Sequence, residues 1–153
     1  MNDKKAILEK IIANLRLEYA ALTKALADSS AAATDPDSKA EGKYDTRSLE
    51  MSYLASGQAR QAESLEQAID QLESWTIRAF SVTDRVASGA LVEVEREGVW
   101  ENYFLLPAGG GVTVEHEGQS VTVLTSESPL FELLDAARMG EPLEGGVSVS
   151  EIT

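Results

Sequence analysis

Two long stretches of this chain carry apolar residues at heptad spacing, and between them lies DPDSKAEGKYD, residues 35–45. In residues 4–28, Leu8, Ile12, Leu15, Tyr19, Leu22 and Leu26 follow at gaps of 4, 3, 4, 3 and 4. That is the seam of a helix hiding one narrow stripe. Ile7 and Ile11 widen it at its start, while Lys4, Lys5, Lys10, Arg16 and Lys24 lie off it. In residues 46–75, Leu54, Gln58, Gln61, Leu65, Ala68 and Leu72 repeat the spacing, with Ala55, Ala62 and Ile69 running alongside. Pro36 and Gly42 interrupt helical structure between the two. The pattern predicts helices over 8–28 and 44–75 folded back as an antiparallel coiled-coil hairpin with an exposed tip.

Past Trp75 the period shortens. SGALVEVERE, residues 88–97, alternates apolar and polar as a half-buried strand does. VWENYFLL follows after Gly98, which predicts a hairpin. Val112 and Val114 flank HEGQ together with Val121 and Val123, a second hairpin. Ser128-Pro129 then opens LFELLDAARMG, a short helix with serine as N-cap, proline at its first position and Gly140 just past its end. Val147 to Ile152 reads as a last strand. The expected fold class is therefore α+β, with a hairpin domain at 1–75 and, at 76–153, a small antiparallel sheet carrying one short helix.

Composition excludes several functions. The 153 residues hold no cysteine, hence no thiol nucleophile, disulfide or Cys-based zinc site. No apolar run approaches ~18 residues, so no membrane span is expected, and MNDKKAILEK lacks the features of a signal peptide. Cytoplasm is the expected location. The net charge is −13, divided as −4 over residues 1–75 and −9 over 76–153. A surface this acidic repels phosphates, so nucleic acid should be met only through a protein that already holds it.

Few residues point to chemistry. His116, in EHEG, reads as a solvated turn residue, and Gly109-Gly110-Gly111 as a plain turn, since no GK[ST] follows. Trp75, Trp100, Tyr103 and Phe104 read as core and junction, and Glu93, Glu95 and Glu97 as the solvated face of a strand. The link is different. Asp35, Asp37, Glu41 and Asp45 crowd four carboxylates into eleven residues. They either solvate a loop or, in the pair Asp37 and Glu41, offer two ligands to one Mg²⁺, an ion that commonly takes only one or two protein carboxylates.

The order of hairpin, acidic tip, strands and Ser-Pro helix resembles the Gre transcript-cleavage factors of bacterial RNA polymerase, the GreA/GreB type. The resemblance covers nearly the whole chain. In DSKAEGKY, Asp37 stands seven residues before Tyr44 and matches the family aspartate; VASGALVEVE resembles the family's opening strand, and ESPLFELLDAARMGE its acidic-Ser-Pro segment and short helix. The resemblance implies an FKBP-like second domain. It also implies docking on polymerase through Glu127, Ser128 and Pro129, and insertion of the hairpin into the secondary channel. There Asp37 and Glu41 would help hold a Mg²⁺ shared with the polymerase, for hydrolysis of backtracked RNA. The chain would be a monomeric accessory factor rather than an enzyme in its own right. It departs from the family pattern where Ala40 occupies the position of the catalytic glutamate, with Glu41 one residue later. A channel-binding regulator of the same fold that does not cleave, and an acidic coiled-coil adaptor with another partner, remain as alternatives.

Overall fold

The computed structural model describes residues 2–34 and 47–153. The chain is α+β. Two long helices, α1 (Asn2–Thr34) and α2 (Arg47–Glu73), precede β1 (Leu91–Arg96), β2 (Val99–Leu105), β3 (Thr113–His116) and β4 (Gln119–Leu124). A short helix, α3 (Pro129–Leu134), then leads to β5 (Pro142–Leu143) and β6 (Val147–Ile152). The chain divides into two compact units, Met1–Asn14 with Ala68–Thr153, and Leu15–Gln67.

In the unit Leu15–Gln67 both helices bury one stripe. Leu15 is buried and Tyr19, Leu22 and Leu26 are half-buried, as the heptad predicts. On α2 the stripe is rotated by one residue from the expected row. Ala62 is buried and Ala55, Gln58 and Leu65 are half-buried, whereas Gln61 is exposed and Leu54 is 51% exposed. The two rows share Gln58, Leu65 and Leu72 and differ in Leu54, Gln61 and Ala68 against Ala55, Ala62 and Ile69. One residue is ~100° of helix. The second row buries Ile69 and spares the Gln61 amide from burial, which outweighs the gain from covering Leu54.

The unit containing the sheet is organised by two hairpins with identical loops. Glu97-Gly98 joins β1 to β2 and Glu117-Gly118 joins β3 to β4, all four residues at positive φ (53°, 80°, 51° and 79°). Two-residue loops with both residues left-handed match the strand twist. The sheet runs β3-β4-β2-β1-β6-β5. It is mixed rather than the expected antiparallel sheet, because β4 pairs with β2 in parallel, Asn102 opposite Val121. Consecutive strands still reverse direction, but the β3–β4 hairpin turns inward. It places β4 beside β2 and β3 at the edge, so strands two apart in sequence become neighbours.

Both faces of this sheet are covered in part. On one, Val92, Val94, Leu105, Leu124, Val147, Val149 and Ile152 form the core with Leu134 of α3 and with Val86, Ala90 and Ala137 from loops. The period of two sends Phe104, Val114, Val121 and Val123 to the other, all buried. Ile7 and Ile11 of α1, 2% and 0% exposed, belong to the same unit. Helix α3 is shorter than its sequence suggests. Past Leu134 the backbone pairs elsewhere: Ala136 N–H donates to the Val86 carbonyl at 2.8 Å and Val86 N–H to that of Ala137 at 2.9 Å. Ala136 takes φ 63°, and these long-range bonds end the helix before Gly140 is reached.

One contrast and one truncation test the packing in urea unfolding. Ala62→Glu puts a carboxylate on the buried row and should cost about 2 kcal/mol or more, while Gln61→Glu beside it should stay within about 0.5 kcal/mol. Leu72→Ala, at a fully buried position, should cost about 2–5 kcal/mol.

Candidate functional site

Asp37 and Glu41, and with them Asp35 and Asp45, lie outside the described residues. Glu127, Ser128 and Pro129 are placed where β4 gives way to α3. Ser128 is the N-cap with extended backbone (φ −85°, ψ 130°) and Pro129 opens the helix; the serine side chain makes no capping hydrogen bond. Its backbone N–H donates to the Thr125 carbonyl at 2.9 Å, which closes the turn. Glu127 and Pro129 are exposed and Ser128 is half-buried. Beside them Gly110 lies so close to Thr125 that an added Cβ would meet its Oγ1 at 2.9 Å, so a side chain at 110 would force Thr125 to shift.

A second group of polar side chains gathers over the face of the sheet opposite the core. A cavity of about 260 Å³ there is lined by Asp3 from the first turn of α1, His116 and Glu117 from the β3–β4 turn, Glu93 of β1 and Glu151 of β6. One ligand atom each from Asp3, His116 and Glu117 falls within 4.8 Å of the other two. His116 Nε2 is 3.8 Å from Asp3 Oδ1, with the imidazole 16% exposed and the aspartate 72%. Nε2 itself is buried without a hydrogen-bond partner among the described residues. On the other side of the ring, Lys10 Nζ lies 3.4 Å from Nδ1 and donates to the Glu115 carbonyl at 2.7 Å. Glu93 and Glu151 stand directly opposite each other on paired strands.

Deeper in the same unit, Lys4 is fully buried. Its Nζ donates to the main-chain oxygens of Arg78 at 2.6 Å and Thr153 at 2.8 Å. It also lies 4.8 Å from the ring centre of Phe80 and 5.8 Å from that of Phe104. Burial, and secondarily the charge of Arg78, lowers its pKa from 10.5 to about 8.

The sequence reading had Lys4 off the apolar stripe and His116 solvated, and the structure corrects both. The signal for Lys4 was present: it stands three and seven residues before Ile7 and Ile11, on their face of the helix. His116 carried no comparable signal, because Asp3 approaches it only through the fold. Among the aromatic residues, Phe104 is buried and Trp75 and Tyr103 half-buried, but Trp100 is 60% exposed on β2. Glu93 and Glu95 are half-buried rather than solvated, and Glu97 sits in the loop rather than on the strand.

No family model and no curated protein matches this sequence. The solved structures similar to it include two Gfh1 proteins. One is the GreA factor homolog 1 (Gfh1) protein of Thermus thermophilus, at 19% identity and a TM-score of 0.36, over 97% of this chain and 93% of that one. The other is Gfh1 of Thermus aquaticus, at 18% identity and a TM-score of 0.35, over 99% of this chain and 95% of that one. No helix among the described residues is long and apolar enough to cross a membrane.

Lys4 gives a pH test. Its folded pKa lies below the unfolded value, so the unfolded chain holds this proton more tightly. The contribution of Lys4 to stability therefore rises with pH between about 8 and 10.5. Lys4→Met removes that term. The wild-type melting temperature should gain on that of Lys4→Met as pH is raised from 7 to 10, read by circular dichroism melts of both proteins.

Proposed function

We propose that this chain is a Gre-like transcription elongation factor that acts through RNA polymerase. The observation that carries the reading is one of order and placement. Two long helices with buried stripes, joined in sequence through the acidic segment 35–45, precede a β domain. In that domain Ser128-Pro129 starts a short helix beside the exposed Glu127. In this reading the helices form an antiparallel coiled-coil hairpin, the sheet-bearing part is FKBP-like, and Glu127, Ser128 and Pro129 dock on the polymerase. The net charge of −13 supports contact with nucleic acid only inside the polymerase complex. The setting is the bacterial cytoplasm, and the factor works as a monomer.

The tip residues Asp37 and Glu41 would hold a Mg²⁺ shared with the polymerase; a two-carboxylate donor set suits that ion and binds it weakly alone. Bound there, Mg²⁺ supplies charge stabilisation and an activated water for hydrolysis of backtracked RNA. The two side chains contribute negative charge and orientation at a site that is otherwise the polymerase's own. One observation favours a second reading, a channel-binding regulator that does not cleave. Ala40 stands where the family carries its glutamate, and Glu41 is displaced by one residue. An adaptor for another partner is the outcome if polymerase is not bound at all.

The deciding experiment is a pull-down with core RNA polymerase followed by a cleavage assay on backtracked complexes. Binding with Mg²⁺-dependent cleavage, lost in Asp37→Asn and in Glu41→Gln while binding persists, establishes the first reading. Binding without cleavage above background establishes the second. Glu127→Arg should weaken polymerase binding with the circular dichroism spectrum intact; unchanged binding removes this segment from the interface.

A further inference from the structure

We infer that Asp3, His116 and Glu117 form a binding site for a zinc-class divalent cation, which ties the first turn of α1 to the β3–β4 turn. Three observations converge. The donor set is one imidazole nitrogen and two carboxylates, from elements far apart in sequence, with one ligand atom from each within 4.8 Å of the others. Nε2 of His116 is buried and has no hydrogen-bond partner among the described residues. A buried nitrogen left so is unfavourable unless something ligates it. Finally, the same cavity is lined by Glu93 and Glu151, opposed on neighbouring strands. Like charges in that register repel, and a cation in the cavity reverses the sign of their contribution.

The geometry is close to a metal's needs. Nitrogen and oxygen ligands ~2.1 Å from a tetrahedral zinc lie about 3.4 Å from one another. His116 Nε2 and Asp3 Oδ1 are 3.8 Å apart, and the carboxylate of Asp3, being 72% exposed, can rotate to close the difference. Ligation through Nε2 puts the imidazole proton on Nδ1, so Lys10 must leave that nitrogen. Its amine keeps the Glu115 carbonyl at 2.7 Å as a partner. Imidazole selects zinc over magnesium or calcium, and three protein ligands leave the fourth position to water. The ligands of this site do not include Asp37 or Glu41, and it does not depend on any role for them.

The test uses the full chain, stripped with a chelator and titrated with Zn²⁺ and with Mg²⁺ by calorimetry, alongside thermal melts. A single Zn²⁺ site is expected, at least about 100-fold tighter than any Mg²⁺ binding, with a raised melting temperature in Zn²⁺. Asp3→Asn and His116→Ala should each weaken it by about tenfold or more, while the double variant Asp37→Asn/Glu41→Gln should leave it unchanged. Asp3 is exposed, so its variant carries the test even if His116→Ala folds poorly. Absence of saturable one-site binding, survival of the site in Asp3→Asn, or its loss in the tip variant would each overturn the assignment.

Discussion

A buried ammonium that donates to two main-chain oxygens governs how the start of α1 meets the sheet. Desolvating Lys4 is costly, and the offset comes from two main-chain oxygens and two aromatic faces that all have to be in place. Arg78 adds its guanidinium over Phe80 at 4.4 Å, so one ring is shared by two cations. These contacts join the first turn of α1 to three other parts of the unit: the segment before β1 with Arg78 and Phe80, the end of β2 with Phe104, and Thr153 after β6. Once Lys4 is seated, the helical repeat turns Ile7 and Ile11 inward. Lys10 then reaches the Glu115 carbonyl. Asp3 comes within 3.8 Å of His116 by the same constraint.

The sheet can accept a helix on that side because its strands carry apolar residues on both faces. Val92, Val94 and Leu105 supply one core, while Phe104, Val121 and Val123 supply a second covered surface. The inward turn of the β3–β4 hairpin builds the second surface, since it sets Val121 and Val123 beside Phe104. The same topology leaves the β4–α3 turn at the surface, with Glu127 and Pro129 exposed. Loops positioned by a rigid sheet are where binding residues tend to lie.

The acidic excess has two kinds of consequence. Spread over the surface, it repels the phosphates of nucleic acid. Concentrated, it gathers carboxylates where a cation can use them. Residues 35–45 hold four carboxylates within eleven consecutive positions, whereas Asp3, Glu93, Glu117 and Glu151 are gathered only by the fold. The two groups also differ in chemistry. The acidic residues of 35–45 offer carboxylate oxygens, the donor type that hard ions such as Mg²⁺ take, while the folded group includes an imidazole nitrogen that suits a softer ion.

Much of the architecture was legible in the residues themselves. Heptad spacing marked both long helices, Glu-Gly loops between alternating strands marked both hairpins, and Ser128-Pro129 marked the start of α3. These signals are local, and the physics behind them acts within a few residues. The pair Asp37 and Glu41 stands out in the sequence for the same reason, as carboxylates crowded between Pro36 and Gly42, but it lies outside the described residues. What acts across the chain was not. The phase of the stripe on α2 depended on which row buries Ile69 without burying the Gln61 amide. The parallel β2–β4 pairing depended on which way a hairpin turns, and the end of α3 on hydrogen bonds to Val86. Lys4 and His116 looked solvated because a charged or polar residue is cheap to bury only when its partners arrive. For Lys4 those partners are Arg78, Phe80, Phe104 and Thr153; for His116 they are Asp3 and Lys10, and tertiary structure alone brings them there.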